Sequence, residues 1–255
     1  MPMIDSHGSA MRILLLGGTA EAAALAGRLA AAGLDAVYSY AGRTAAPAAQ
    51  PLPLRIGGFG GAAGLARYLA DERISHVVDA THPFAAQISC NAAAACAAQG
   101  AALLGLQRPP WQPGPGDRWT RVADIAGAVA ALPQRPATVF LAIGRQSLGG
   151  FAGLPHAWVL RLVDPAPQPL AGARVIVDRG PFTVAGDLAL MRDHGVTHVV
   201  AKNAGGAGAS AKIAAARMLG LPVVMIDRPA PPPRAEAATV DAVMAWLHRA
   251  APRGV

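Results

Sequence analysis

Cysteine, aromatic side chains and charge are all scarce in this chain. Its 255 residues hold two cysteines, 5% aromatics and 15% charged residues, against 53% hydrophobic ones. That balance describes a well-buried globular protein rather than a disordered one. Cys90 and Cys96 stand six residues apart in one helical pattern and lack the CxxC spacing of a zinc or redox pair. They read as small buried hydrophobes of a cytoplasmic protein, and no metal site is expected. Long apolar runs are missing too, because Arg28, Arg67 and Asp71 interrupt the Ala-rich stretches before the roughly 18 residues a membrane span needs. Met1–Ala10 has no basic segment leading into an apolar one, so a disordered extension over 1–10 is expected there rather than a signal peptide. Lys/Arg runs interleaved with aromatics are absent, although the net charge is +7. The excess is Arg dispersed near loops, which suits a small acidic ligand better than nucleic acid.

What is abundant is alternation. Strand-like runs at Arg12–Leu16, Ala36–Tyr40, Leu52–Ile56, His76–Ala80 and Ala102–Leu106 alternate with helical patterns at Thr19–Ala32, Gly61–Glu72 and Phe84–Gln99. Such β/α alternation predicts an α/β fold with parallel sheets flanked by helices. Arg108-Pro109-Pro110-Trp111-Gln112-Pro113-Gly114-Pro115-Gly116 then breaks the pattern and reads as a linker. The remainder looks like the first part again. HVVDATHPF (His76–Phe84) matches HVVAKNAGG (His198–Gly206), RILLLGGT (Arg12–Thr19) matches TVFLAIGR (Thr138–Arg145), RIGGFGG (Arg55–Gly61) matches VDRGPFT (Val177–Thr183), and LLGLQRPPW (Leu103–Trp111) matches VVMIDRPAP (Val223–Pro231). Each half closes with a helix after its Arg-Pro turn, Val122–Leu132 and Thr239–Arg249. Unrelated βαβ units resemble one another this well, so duplication stays one of two readings. Both give two Rossmann-like lobes, an N-terminal nucleotide-binding lobe over 11–112 and a C-terminal lobe over 113–255, with a cleft between them.

The motifs sit where strands end. Gly17-Gly18-Thr19 with Glu21 joins a strand to a helix, the geometry in which backbone N–H groups approach a phosphate. It falls short of GxGxxG, and a purely structural glycine turn explains it equally well. The next strand end carries Arg43 and Thr44 where an NAD enzyme places an acid, which suits a 2′-phosphate and hence NADPH. Gly57, Gly58 and Gly60 surround Phe59 in a loop costly to order, as close ligand approach requires, a plain flexible loop being the alternative. Thr81, His82, Pro83 and Phe84 follow a buried strand and complete the cofactor set. His82 suggests acid–base chemistry, but no Ser/His/carboxylate or Cys/His constellation accompanies it. His76 and His198 occupy matched strand positions and read as structural. In the second half, Lys202, Asn203, Gly205, Gly206 and Lys212 form a cationic, glycine-rich loop entering a helix, with Arg145, Arg161 and Arg179 near other strand ends. Together they suit a polycarboxylate, while any one of them alone reads as a solvated charge.

Taken in combination, GGTAEA at 17–22, AGRT at 41–44, RIGGFGG at 55–61, DATHPFAAQISCNA at 79–92, RPPW at 108–111, RGPF at 179–182, KNAGG at 202–206 with Lys212, and DRP at 227–229 resemble the precorrin-6A reductase family of cobalamin biosynthesis. The resemblance runs from about Met11 to Pro229 and departs from the family at Ala204, where a serine is usual. It implies an NADPH-dependent reductase that transfers hydride to a tetrapyrrole polycarboxylate, precorrin-6A, giving precorrin-6B. It also brings Asp79 and Phe182 into the expected substrate set. Two rival functions remain at this point, a cofactor-free bilobal tetrapyrrole enzyme and a non-catalytic NADP-binding protein. The first has no need of the glycine turn or Arg43, the second none of the cationic loop.

Overall fold

The computed structural model describes residues 11–42, 48–165, 170–178 and 180–250. The extension expected over 1–10, together with Arg43, Thr44 and Arg179, lies outside them. The chain first builds β1 (Arg12–Leu16), α1 (Ala20–Ala31), β2 (Asp35–Tyr40), β3 (Leu54–Ile56), α2 (Gly61–Asp71), β4 (His76–Asp79), α3 (Ala86–Gln99) and β5 (Ala102–Leu106). It continues with β6 (Arg118–Val122), α4 (Ile125–Ala130), β7 (Thr138–Ala142), a 3-10 helix over Arg145–Phe151, β8 (Ala157–Leu162) and β9 (Arg174–Val177). The rest comprises α5 (Val184–Asp193), β10 (His198–Lys202), α6 (Ala211–Met218), β11 (Pro222–Ile226), β12 (Ala235–Ala237) and α7 (Val240–Ala250).

Two six-stranded sheets result, ordered β12-β5-β4-β1-β2-β3 and β6-β11-β10-β7-β8-β9, with every pairing parallel. β1 shows why the first sheet is covered on both faces. Its side chains alternate, Ile13 and Leu15 packing with Leu25 and Leu29 of α1 and Val243 and Leu247 of α7, while Leu14 and Leu16 pack with Leu65 and Leu69 of α2 and Ala92 and Cys96 of α3. A strand apolar on both faces belongs in the middle of a parallel sheet. Cys96 is buried as expected, whereas Cys90 is exposed. The second sheet buries Phe140, Val159, Val199, Ala201 and Met225 against Met191 of α5 and Ile213 of α6.

The expected lobe boundary differs from the observed one. One compact unit takes the chain up to Arg108 and again from Ala230 onward, and the other takes Pro109–Pro229. β12 and α7 therefore belong with β1–β5, although sequence reading assigned 113–255 to one lobe. The two sheet orders also match position for position, β5 with β11, β4 with β10, β1 with β7, β2 with β8 and β3 with β9. In that correspondence β6 and β12 are equivalent edge strands, and each is paired in the sheet of the opposite half. The unit boundaries fall at Arg108-Pro109 and Pro229-Ala230, at or beside the two matched Arg-Pro turns. The helix expected over 122–132 starts later, at Ile125, because Arg118–Val122 is strand β6, capped into α4 by Asp124, whose carboxylate accepts from Gly127 N at 2.8 Å.

The correspondence between the two sheets reaches single hydrogen bonds. Before β4, Ser75 N and Oγ both reach Arg12 O, at 3.0 and 3.3 Å, and Oγ meets His76 Nδ1 at 2.9 Å. Before β10, Thr197 N and Oγ1 reach Thr138 O at 2.9 and 3.1 Å, and Oγ1 meets His198 Nδ1 at 3.0 Å. Both histidines are strand-entry fixtures, as their matched positions predict.

Candidate functional site

In each sheet the order of strand addition reverses beside the first strand, between β1 and β4 and between β7 and β10. Open α/β sheets bind ligands at the carboxyl ends of such strands. The first unit's switch point brings Gly17, Gly18 and Thr19 together with Ala80 to Phe84. Thr19 links the two strand ends. Its Oγ1 accepts from Ala22 N at 3.1 Å, capping α1, and donates to Ala80 O at 2.8 Å. The two glycines are required for different reasons. A Cβ on Gly17 would lie 2.1 Å from the Tyr38 ring, which fills the space beneath the turn, and Tyr38 Oη accepts from Gly18 N at 2.9 Å. Gly18 has φ +117° with nothing within 4 Å of its absent Cβ, so backbone conformation demands glycine there and the space beside it is open. Burial raises the Tyr38 phenol above its ordinary value, opposed by the Gly18 bond. It stays protonated.

Other residues expected here have internal partners. Glu21 is held by Arg108 at 2.5 Å. Asp79, expected among the substrate residues, is fully buried: one oxygen accepts from Thr81 N at 3.1 Å and Thr81 Oγ1 at 2.6 Å, the other from Ser89 Oγ at 2.6 Å and from the Arg234 guanidinium. Such a carboxylate is a structural counter-ion that fixes the Thr81 turn to α3, and the substrate assignment is corrected accordingly. Gly105 makes room for it, since a Cβ there would lie 2.5 Å from Arg234 Nε. His82 Nδ1 accepts from Phe84 N at 3.2 Å and closes the turn with its half-buried ring. With Nδ1 as acceptor, the proton of the neutral ring sits on Nε2.

Past β2, the loop after β3 carries Gly57 to Gly60. Gly57 and Gly60 have φ +124° and +78°, and again nothing lies within 4 Å of either absent Cβ. Arg55 organises this loop. Its guanidinium donates to Gly57 O at 2.6 Å and Gly58 O at 2.9 Å and stacks 3.7 Å from the Phe59 ring centroid.

At the second unit's switch point the expected residues divide. Lys202 ends β10 half-buried, its ammonium donating to Ser147 Oγ at 2.7 Å, and burial lowers its pKa. Arg145 is exposed at the start of the 3-10 helix. The rest of the cationic loop clamps the chain that enters this unit. Asn203 accepts from Trp111 N at 2.8 Å and donates to Trp111 O at 3.0 Å, and Gly206 O accepts from Trp111 Nε1 at 2.8 Å. A Cβ on Gly205 would meet Pro109 O at 2.1 Å. Lys212 is buried, donates to Ala209 O at 2.6 Å and lies 5.0 Å from the Trp111 ring. Asn203, Gly205, Gly206 and Lys212 thus pack on residues 109–111. Phe182, before α5, stacks at 3.6 Å on Arg161, which is buried and paired with Asp187.

Sequence reasoning missed Tyr38, Ser147, Arg234 and Arg228, whose guanidinium donates to Asn203 O and Ala204 O, each at 2.9 Å, and it gave Arg55 no role. Arg55 and Arg228 lie inside the RIGGFGG and DRP motifs. Arg234 stands in a Pro-rich segment with no local pattern, and Tyr38 lies in an ordinary apolar strand.

Comparison with known proteins follows the same lines. Residues 12–248 match the family model described as "Precorrin-6x reductase CbiJ/CobK". The chain is similar to the precorrin-6A reductase of Rhodobacter capsulatus, 63% identical over 96% of this chain and 99% of the relative. It is also similar to the cobalt-precorrin-6A reductase of Priestia megaterium, 30% identical over 85% of this chain and 90% of the relative. A solved structure titled "CobK precorrin-6A reductase" superimposes with TM-score 0.91 at 62% identity, covering 96% of this chain and 100% of that one.

Proposed function

The chain belongs to the precorrin-6x reductase family and is an oxidoreductase of cobalamin biosynthesis acting on precorrin-6A; we propose that its hydride donor is NADPH, bound at the first unit's strand ends. The observation that carries this is the cradle at the β1–α1 turn, where Gly18 has a positive φ and open space where a side chain would stand. The loop at Gly57 to Gly60 repeats the feature beside β2. NADPH fits those residues: backbone amides at a helix start suit its pyrophosphate, and Arg43 with Thr44, in place of an acid, suits its 2′-phosphate. When bound, the nicotinamide would supply the electron pair of the hydride. Thr19 and the turn Thr81-His82-Pro83-Phe84 line the same switch point and orient the cofactor.

For the substrate we assign Lys202, Arg145 and Phe182, cationic and aromatic groups at the second unit's strand ends, and with them Arg179 of the RGPF motif, a set that suits a macrocycle bearing many carboxylates. Reduction to precorrin-6B consumes one hydride and one proton. Equilibrium binding of NADPH and NADH to the purified protein, followed by anaerobic turnover of the tetrapyrrole, tests the cofactor. Arg43→Ala is expected to weaken NADPH by about 1–3 kcal/mol, the scale of one charge-assisted phosphate contact, and to leave NADH almost unchanged. Equal affinity of the unaltered protein for both nucleotides overturns the NADPH assignment.

A further inference from the structure

Arg55 lies in the glycine-rich RIGGFGG motif, and its contacts define a task for it. It stands on β3 opposite Ser39 of β2, 3.5 Å from that hydroxyl, and spends its guanidinium on two consecutive peptide carbonyls, Gly57 O and Gly58 O. A trans peptide points its C=O and its N–H in opposite directions. Pinning the carbonyls of Gly57 and Gly58 onto Arg55 therefore turns the amides of Gly58 and Phe59 away from it. Among the described residues, neither amide donates to a protein group. The stack on Phe59, itself edge-on to Tyr68 at 5.2 Å, fixes the next residue as well.

The loop's place decides which part of the ligand it meets. Gly57 N donates to Tyr40 O at 2.9 Å, and a Cβ on Gly42 would lie 3.5 Å from Gly57 Cα, so this loop packs against the end of β2, one residue before Arg43. In dinucleotide-binding sheets the second strand's end holds the ribose of the adenosine half. We infer that Arg55 is a positioning residue for the cofactor, holding the Gly58 and Phe59 amides toward its 2′-phosphate without touching the phosphate itself. The inference rests on the NADPH assignment above. An arginine stacked on the phenylalanine that precedes the next helix recurs in the second unit, where Arg161 lies on the neighbouring strand, opposite Ile176, and stacks on Phe182.

The test is equilibrium binding of NADPH, NADH, 2′,5′-ADP and 5′-ADP to the unaltered protein and to Arg55→Ala, Arg55→Lys and Phe59→Leu, together with KM and kcat for NADPH. Arg55→Ala is expected to weaken NADPH and 2′,5′-ADP about tenfold, as loss of charge-assisted bonds to a phosphate does, leaving NADH, 5′-ADP and kcat at saturating cofactor within about twofold. Arg55→Lys should behave like the alanine variant, because an ammonium neither spans two carbonyls nor stacks as a guanidinium does. Phe59→Leu keeps the carbonyl bonds and is expected to lose less. If Arg55→Lys retains full NADPH affinity, Arg55 acts as a charge on the phosphate and positioning is overturned. Equal losses for both members of each ligand pair, or no loss at all, also overturn it. An unaltered protein that fails to prefer NADPH overturns the parent assignment instead, so the two failures are separable.

Discussion

Asp79 shows what single residues conceal. An acid at a strand end beside THPF suggests a ligand, and its chemistry would serve one; only the partner from 155 positions away, Arg234, turns it into a buried ion pair. Removing one member of such a pair leaves an uncompensated buried charge, whereas replacing both is far cheaper. Arg234→Ala is expected to cost about 3–5 kcal/mol of stability. Asp79→Asn combined with Arg234→Met should cost less than Arg234→Met alone, a coupling that urea unfolding of Asp79→Asn, Arg234→Met and the double variant measures. Lys202 is the contrasting case, a half-buried strand-end cation whose ammonium donates to a neutral hydroxyl, Ser147 Oγ, at 2.7 Å. If it meets the substrate's carboxylates, Lys202→Ala raises KM for the tetrapyrrole several-fold, on the order of the 1 kcal/mol or so that one screened ion pair contributes, with the larger effect at low salt and no change in NADPH affinity. An effect independent of salt removes Lys202 from the substrate set.

Among the elements, legibility followed local pattern. β1, β5 and the helix starting at Gly61 were read to the residue or nearly so, since continuous apolar runs and glycine or threonine caps announce them. The strand-end positions of THPF and KNAGG followed from the same runs. β12 could not be read: it is three residues, Ala-Glu-Ala, whose only reason to be strand is the open edge of β5. The glycines were recognised as turns, but the cause at Gly17 is the Tyr38 ring and at Gly205 the Pro109 carbonyl, both distant in sequence. α7 was found, yet its partner was misplaced, because its apolar face specifies burial and not against what. That face now gives a test. Leu247 is fully buried with Leu25 and Leu29 in the core over β1, so Leu247→Ala should cost about 2–5 kcal/mol. Hydrogen exchange should locate the loss in β1, β4 and α1, leaving β7, β10 and β11 protected as before.

At the scale of the whole molecule, the exchange of β6 and β12 makes the chain two units but not two independent halves. A fragment ending at residue 112, the boundary that composition suggests, keeps β1–β5 and the glycine turn. It loses β12, α7 and Arg234. The edge of β5 is then unpaired, Asp79 is buried without its guanidinium, and the apolar surface that Val243, Met244 and Leu247 cover is open to water. Each of those side chains contributes about 1.5–3 kcal/mol by burial, and the orphaned carboxylate costs several more, against a total stability of about 5–15 kcal/mol for a domain. The fragment 11–112 is therefore expected to lack cooperative unfolding and to bind no NADPH. Adding the peptide 230–250 in trans, or joining it to residue 108 through a flexible linker, should restore both, read by circular dichroism melts and nucleotide titration. Cooperative folding of 11–112 alone would mean that the first sheet is complete without its exchanged strand, and that β12 and α7 are an accessory layer.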